Sequence, residues 1–213
     1  ESKIIKEYIA DKRSLVVEEV NNKLHIKYFE HPLSLNFALF GRYINSKIIN
    51  ICSSLLEDEV YLRSIEIHSR NPGGSSIPLH QDNAYYGLKK GKACTIFIPL
   101  NIPVNKVGSL TYLENNIGKE YLHISSNKSA FSLEINKKDN KVLKGRRKIN
   151  DIEITDGFIH HCHSIHCAEE VPNDSIRTWA VRITIFGKSD SQKPGHKDWY
   201  NKKVQENRSN ARF

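Results

Sequence analysis

The sequence predicts a mainly β fold with flanking helices, built as a single barrel or jelly roll. Three observations carry that prediction. From about residue 61 to residue 187 the chain breaks into many short strand-like runs separated by turn-forming residues. Before that region, Ile44, Ile48, Ile51 and Leu55 recur at helical spacing and form one apolar stripe suited to packing on the outside of a sheet. The length, 213 residues, suits one domain with one sizeable core. The domain is expected to span 1–187, with the jelly-roll core at about 61–187, a hairpin and a helix in 1–60, and a polar tail at 188–213.

Each element has its own justification. A short amphipathic segment surrounds Ile4, Ile5, Tyr8 and Ile9, and residues 16–29 read as two strand-like runs about Asn21-Asn22, a hairpin that His31-Pro32 breaks. The acidic Glu57-Asp58-Glu59 ends the helix. Alternation in Ser64-Ile65-Glu66-Ile67-His68 marks a strand, and Asn71-Pro72-Gly73-Gly74-Ser75-Ser76 is loop material. Residues 88–92 form an exposed turn before a mostly buried strand at 93–100, with another strand at 108–113. The polar stretch 115–150 reads as an inserted excursion with a strand near 131–135. Strands at 152–154, 158–161, 163–168 and 177–186 close the chain. There is no internal repeat and no low-complexity segment.

Composition narrows the function classes. No apolar run reaches the roughly 18 residues of a membrane span, and no charged-then-apolar leader opens the chain. Cys52, Cys94, Cys162 and Cys167 form no CxxC pair, which predicts reduced thiols and a cytoplasmic protein. Methionine is absent, position 1 included, so the chain is expected not to begin at a native start. The formal net charge of +8 gathers at residues 144–148 and in the tail. The tail reads as a solvated polar segment, either a short helix or a loose tail; the 144–148 cluster stays open as an anion-seeking surface.

The chemistry centres on Pro78-Leu79-His80-Gln81-Asp82-Asn83. In extended chain, residues i and i+2 point to the same face, so His80 and Asp82 would offer an imidazole and a carboxylate together. A third ligand is expected from His160-His161-Cys162-His163-Ser164-Ile165-His166, and Arg177 follows on the next strand. Two imidazoles and a carboxylate with open positions suit non-haem Fe(II) and dioxygen. Arg suits a carboxylate cosubstrate, because its planar fork pairs bidentately and stays charged in a dry pocket. Each part has a bland alternative. A lone His-x-Asp is more often a surface pair, and the His and Cys run would suit zinc, although no recognised zinc spacing emerges. His160, His161 and His163 read as packing residues or as support for the ligands.

These segments resemble the phytanoyl-CoA dioxygenase family of 2-oxoglutarate oxygenases. The resemblance rests on Gly73-Gly74-Ser75-Ser76-Ile77-Pro78-Leu79-His80-Gln81-Asp82-Asn83, on Asp156-Gly157-Phe158-Ile159-His160-His161-Cys162-His163-Ser164-Ile165-His166, and on Pro172-Asn173-Asp174-Ser175 with Arg177. Gly108-Ser109-Leu110-Thr111-Tyr112 resembles the family's small-residue strand between them. The likeness covers about 61–187. It implies a double-stranded β-helix (a cupin-like jelly roll) in which His80, Asp82 and His166 hold Fe(II), with His163 as the competing distal ligand. It also implies that Arg177 grips the distal carboxylate of 2-oxoglutarate, Asn83 lies on the cosubstrate side, and Trp179 walls the pocket. Ala168 departs from the family pattern, which often has a Ser there, and His68 and Arg70 are the candidates for a second cosubstrate contact.

The implied function is an Fe(II)/2-oxoglutarate-dependent dioxygenase that uses O2, releases succinate and CO2, and hydroxylates or otherwise oxidises a small-molecule metabolite. The carboxylate at Asp82 argues against halogenation. Basic residues near the mouth lean toward an anionic substrate, and Tyr85, Tyr86, residues 71–79 and the 115–150 excursion are expected to line or cover the pocket. Two alternatives stand beside it. One is a nucleic-acid demethylating oxygenase, with Arg182 as its later arginine; nucleic acid is the less favoured partner, because that group resembles the chain less. The other is a non-catalytic cupin-like binding protein.

Overall fold

Alternation along the strands gives this protein a polar interior between two sheets and an apolar layer on the outer side of each. The computed structural model describes residues 3–8, 15–20, 22–30, 41–101, 110–113, 118–126, 133–136, 138, 146–148 and 156–210. Among them the chain runs β1 (Lys3–Tyr8), β2 (Leu15–Val20), β3 (Lys23–Glu30), α1 (Ser46–Leu56), β4 (Val60–Arg70), β5 (Ile77–His80) and the single turn α2 (Asn83–Tyr86). It continues through β6 (Ala93–Pro99), β7 (Leu110–Leu113), β8 (His123–Ser125), β9 (Leu133–Ile135), β10 (Arg146–Lys148), β11 (Phe158–His161), β12 (His166–Ala168), β13 (Thr178–Gly187) and α3 (His196–Asn210).

The larger sheet has the order β1-β2-β3-β4-β13-β6-β11 and the smaller one β10-β7-β12-β5. All of their pairings are antiparallel. The eight strands β4-β13-β6-β11 and β10-β7-β12-β5 interleave along the chain as a double-stranded β-helix. The expected fold class is therefore the observed one. The N-terminal hairpin turns at Asn22, whose φ of 60° is tolerable for Asn, and it extends the larger sheet through β3 against β4.

Outward-facing residues carry the hydrophobic packing. Ile65, Cys94, Ile96, Val181, Ile183 and Ile185 meet Cys52 and Leu56 of α1. The helix begins at Asn45, whose side chain accepts from the Ile48 N–H, and ends at Glu57 in the left-handed region. Cys52 and Leu56 are buried with the half-buried Ile44 and Ile48 packed beside them, whereas Ile51 and Leu55, expected inside, are exposed. The stripe thus departs from the expected one only in the later turns, where Cys52 and Leu56 face the sheet. On the smaller sheet, Leu79, Leu113 and Ile165 pack against Ile135 of the β8–β9 hairpin, which together with β10 falls within the 115–150 excursion.

Several expectations are adjusted. The opening segment is a strand, β1. The strand expected at 163–168 is confined to β12, because the chain turns at 162–163. The segment expected as a polar tail carries α3, which buries Val204 and sets Tyr200 edge-on to Tyr85 at 6.1 Å. Gly87 makes that docking possible: its φ is 64°, and a Cβ there would lie 2.1 Å from the His196 ring. The break at His31-Pro32, the strand at 152–154, and Lys144 and Gly145 lie outside the described residues. The four cysteines are free. Among the described residues no helix is long and apolar enough to cross a membrane.

Candidate metal centre

β5 ends at His80, and β12 begins at His166 directly opposite it in the antiparallel pairing. That register places the two imidazole rings side by side, with centroids 4.2 Å apart. Asp82 is not part of an extended strand, as the sequence suggested; its φ and ψ of −60° and −29° are helical, at the entry to α2. The turn still brings the carboxylate to the imidazoles. Asp82 Oδ1 lies 3.7 Å from His80 Nε2 and 3.8 Å from His166 Nε2, and the three ligand atoms lie within 4.8 Å of one another.

This donor set fits a divalent metal ion. Two donors each about 2.1 Å from one ion can be at most about 4.2 Å apart, so both distances to Asp82 are within reach of a shared ion. Both histidines are also fixed in the required tautomer. His80 Nδ1 donates to the Pro78 carbonyl at 2.8 Å and His166 Nδ1 to the Ser164 carbonyl at 3.0 Å, which leaves each Nε2 lone pair for a metal. Burial disfavours the imidazolium form of both, and the pKa of His166 is held well below the usual range, with His80 and His160 adding to the effect.

Asp82 is 1% exposed. Burial alone would raise its pKa, but Arg182, the bond from His160 and the nearby His166 hold it well below the usual carboxylate range. Its outer oxygen, Oδ2, accepts from Thr95 Oγ1 at 2.6 Å, His160 Nε2 at 3.1 Å and Arg182 Nη2 at 3.0 Å. Arg182 also donates to Glu66 Oε2 at 3.1 Å and to the Tyr86 hydroxyl at 2.8 Å. Burial opposes its charge, yet Asp82, Tyr86 and Glu66 keep it firmly protonated.

The structure thus brings together His80, Asp82 and His166 as the sequence suggested. His163, the competing ligand, instead packs its ring against His161, 5.2 Å away. The guanidinium that meets Asp82 belongs to Arg182, whereas that of Arg177 lies 5.5 Å above the Trp179 ring at the head of β13. The alternation that sends Val181 and Ile183 toward α1 carries Trp179 the same way. Asn83 spends its side chain on the 83–88 turn and its neighbour: Nδ2 donates to the Leu88 carbonyl and Glu120, and Oδ1 accepts from the Leu88 N–H. His68 bonds Glu66 at 2.7 Å, and Arg70 donates to the Glu169 carbonyl. Thr95, His160 and Arg182 are the site residues that sequence reasoning passed over or used otherwise. The only signal for them was a polar residue inside an apolar strand, as in Val181-Arg182-Ile183.

The covering layer is pinned to the motif itself. Gln81, fully buried, donates to the Lys119 and His163 carbonyls and accepts from the Tyr121 N–H. Its own N–H donates to His123 Nε2 at 3.0 Å. Tyr85 sits edge-on to His80 at 5.7 Å, while Tyr86 faces Arg182. A cleft of about 340 Å³ beside α2 is lined by Asn83, Glu120, Tyr121, His123, His196 and Trp199 among others, and by none of the three candidate ligands.

No protein-family model matches the chain, and no curated protein matches it in sequence. Solved structures do match its fold. The "non-heme alpha ketoglutarate dependent carbocyclase SnoK from nogalamycin biosynthesis" aligns with a TM-score of 0.65 at 15% identity, over 94% of this chain and 74% of its own. EctD from S. alaskensis with bound Fe aligns at 0.65 and 11%, over 88% and 64%. EvdMO1 aligns at 0.64 and 12%, over 85% of this chain. The fold is shared with non-haem iron enzymes. This chain spans only 40% of the length of EvdMO1.

Proposed function

We propose that this protein is an Fe(II)- and 2-oxoglutarate-dependent oxygenase acting on a small-molecule metabolite. The observation that carries the reading is the convergence of His80 Nε2, His166 Nε2 and Asp82 Oδ1, each imidazole tied to a carbonyl through Nδ1. The fold of SnoK and of iron-bound EctD supports it. Within that chemistry, the order of the motifs and the interval from His166 to Arg177 favour a member of the phytanoyl-CoA dioxygenase family.

In this reading His80, Asp82 and His166 hold Fe(II). When bound, the iron activates dioxygen at the expense of 2-oxoglutarate, which leaves as succinate and CO2. The protein supplies position, charge and exclusion of water. Two guanidiniums of the β13 region are candidates for the cosubstrate's distal carboxylate. Arg177, with Trp179 beside it, is favoured by sequence interval; Arg182 lies inside the barrel, but its guanidinium already engages Asp82, Glu66 and the Tyr86 hydroxyl. Asn83 contributes through the turn it closes.

The test is anaerobic addition of Fe(II) and 2-oxoglutarate, read by visible absorption, followed by O2 and a screen of metabolites for stimulated succinate release. Iron and 2-oxoglutarate binding with substrate-stimulated succinate is the expected result. Iron binding with no succinate under any substrate would favour the non-catalytic binding protein.

A further inference from the structure

The three candidate ligands come from the smaller sheet and the turn that follows β5. Three donors to Asp82 Oδ2 come from the larger sheet, Thr95 on β6, His160 on β11 and Arg182 on β13, and the Tyr86 hydroxyl on α2 adds a longer bond at 3.4 Å. Asp82 is therefore where the larger sheet takes hold of the metal centre. We propose that Arg182, Thr95 and His160 are positioning residues that make Asp82 a one-oxygen metal ligand, by occupying Oδ2 and leaving only Oδ1 for the ion. This rests on reading His80, Asp82 and His166 as a metal centre.

Lone-pair capacity is the first argument. A carboxylate offers about four acceptor sites over its two oxygens. Three donors on Oδ2 use more than its share, so that oxygen has no lone pair left for a metal. Oδ1 instead faces the two Nε2 atoms.

The donors are themselves immobilised. Arg182 is pinned by Glu66 at 3.1 Å and by the Tyr86 hydroxyl, and Glu66 is held in turn by Ser64 and His68. For His160 to donate from Nε2, its Nδ1 must accept, and the Tyr112 hydroxyl lies 2.9 Å from it. The Tyr112 ring stacks on His166, with centroids 5.6 Å apart and planes 27° apart. The network therefore runs from the carboxylate round to the second imidazole.

One-oxygen ligation has a chemical consequence. On a roughly octahedral ion, two imidazoles and a single oxygen leave about three positions open, enough for a chelating keto acid and dioxygen together. A carboxylate that chelated through both oxygens would remove one of them.

Co(II) is the probe, because its visible spectrum reports coordination number. Its dissociation constant and absorption would be measured for the wild type, Thr95→Val, Arg182→Lys and the double variant Arg182→Gln with Glu66→Gln, which leaves no buried charge unpaired at position 66. Circular dichroism confirms that each is folded. The expected result is Co(II) binding about 10- to 100-fold weaker in Thr95→Val and in the double variant, a scale seen for residues that orient metal ligands. Their spectra should also shift in band position and intensity as Oδ2 replaces another ligand on the ion, with partial recovery in Arg182→Lys. Folded variants that keep wild-type affinity and spectrum would overturn the proposal and leave the network a purely structural one. A folded wild type that takes up no Co(II) would instead sink the metal-centre reading itself.

Discussion

His80 and His166 face one another across the β5–β12 pair, and each fixes its ring by the same local device, an Nδ1–H bond to the carbonyl two residues earlier. Neither ring depends on a distant partner for its tautomer. The site therefore presents its nitrogen lone pairs before any ion arrives, and little ordering remains to be done on binding.

Metal addition should for that reason stabilise the fold. An ion that binds only the folded state adds about 2.7 kcal/mol at a free concentration 100 times its dissociation constant. Anaerobic thermal melts with Fe(II), Mn(II) or Co(II) should show a rising, concentration-dependent midpoint, reversed by a chelator. The rise should vanish in His166→Ala. A midpoint indifferent to metal in the wild type would count against the triad.

Replacing Asp82 should do more than remove the proposed activity. Asp82→Ala is expected to abolish turnover, and it also leaves Arg182 without one of its two carboxylate partners and removes the oxygen to which both Thr95 Oγ1 and His160 Nε2 donate. Breaking a buried ion pair from one side costs about 3–5 kcal/mol. Urea unfolding of the metal-free proteins should show Asp82→Ala destabilised on that scale, and more so than His166→Ala. Equal stabilities would mean that the Arg182 bond contributes little.

The triad was legible because its residue types are rare together and its spacing is local: His80 and Asp82 are neighbours, and His166 closes a recognisable run. The reason given for it was only half right, since Asp82 reaches the site through a helical turn rather than an extended strand. Arg182, Thr95 and His160 were harder to read. Each sits in an ordinary strand, and its meaning depends on which strands pair: β13 with β4 and β6, and β6 with β11. Those long-range registers leave no local trace in sequence. The expected stripe of α1 holds at Ile44 and Ile48 and slips by one residue after them, where Cys52 and Leu56 rather than Ile51 and Leu55 face the sheet. After Gly187 the sequence left a short helix and a loose tail both open, because the inner side of α3 is carried by a few residues, Tyr200 and Val204 among them, in a strongly polar helix.

The two β13-region arginines should separate kinetically. Arg177→Ala is expected to raise the 2-oxoglutarate requirement sharply while leaving iron bound, if the sequence interval names the clamp. Arg182→Lys should disturb metal affinity as well, because its guanidinium bonds Asp82 directly. Measuring the KM for 2-oxoglutarate and the metal dissociation constant in parallel distinguishes them. Unchanged cosubstrate affinity in Arg177→Ala would remove Arg177 from the proposal.

His123 gives the fold a defined pH dependence. Its Nε2 accepts from the Gln81 N–H, and its Nδ1 donates to the Tyr121 carbonyl at 2.8 Å, so only the neutral ring satisfies both bonds. Burial lowers its pKa from 6.5 to about 4, against the opposing pull of the Tyr121 bond. A depressed histidine pKa means that the unfolded chain takes up a proton the folded chain refuses. The stabilisation is therefore complete above pH 6.5, declines as pH falls toward 4, and changes no further below that. The whole effect is about 3 kcal/mol at most. In metal-free protein, the stability difference between wild type and His123→Gln should shrink by that order between pH 7 and pH 4, as measured by urea unfolding at each pH. Parallel curves for the two proteins would show that His123 titrates alike in both states, and that the bond to Gln81 does not fix its charge.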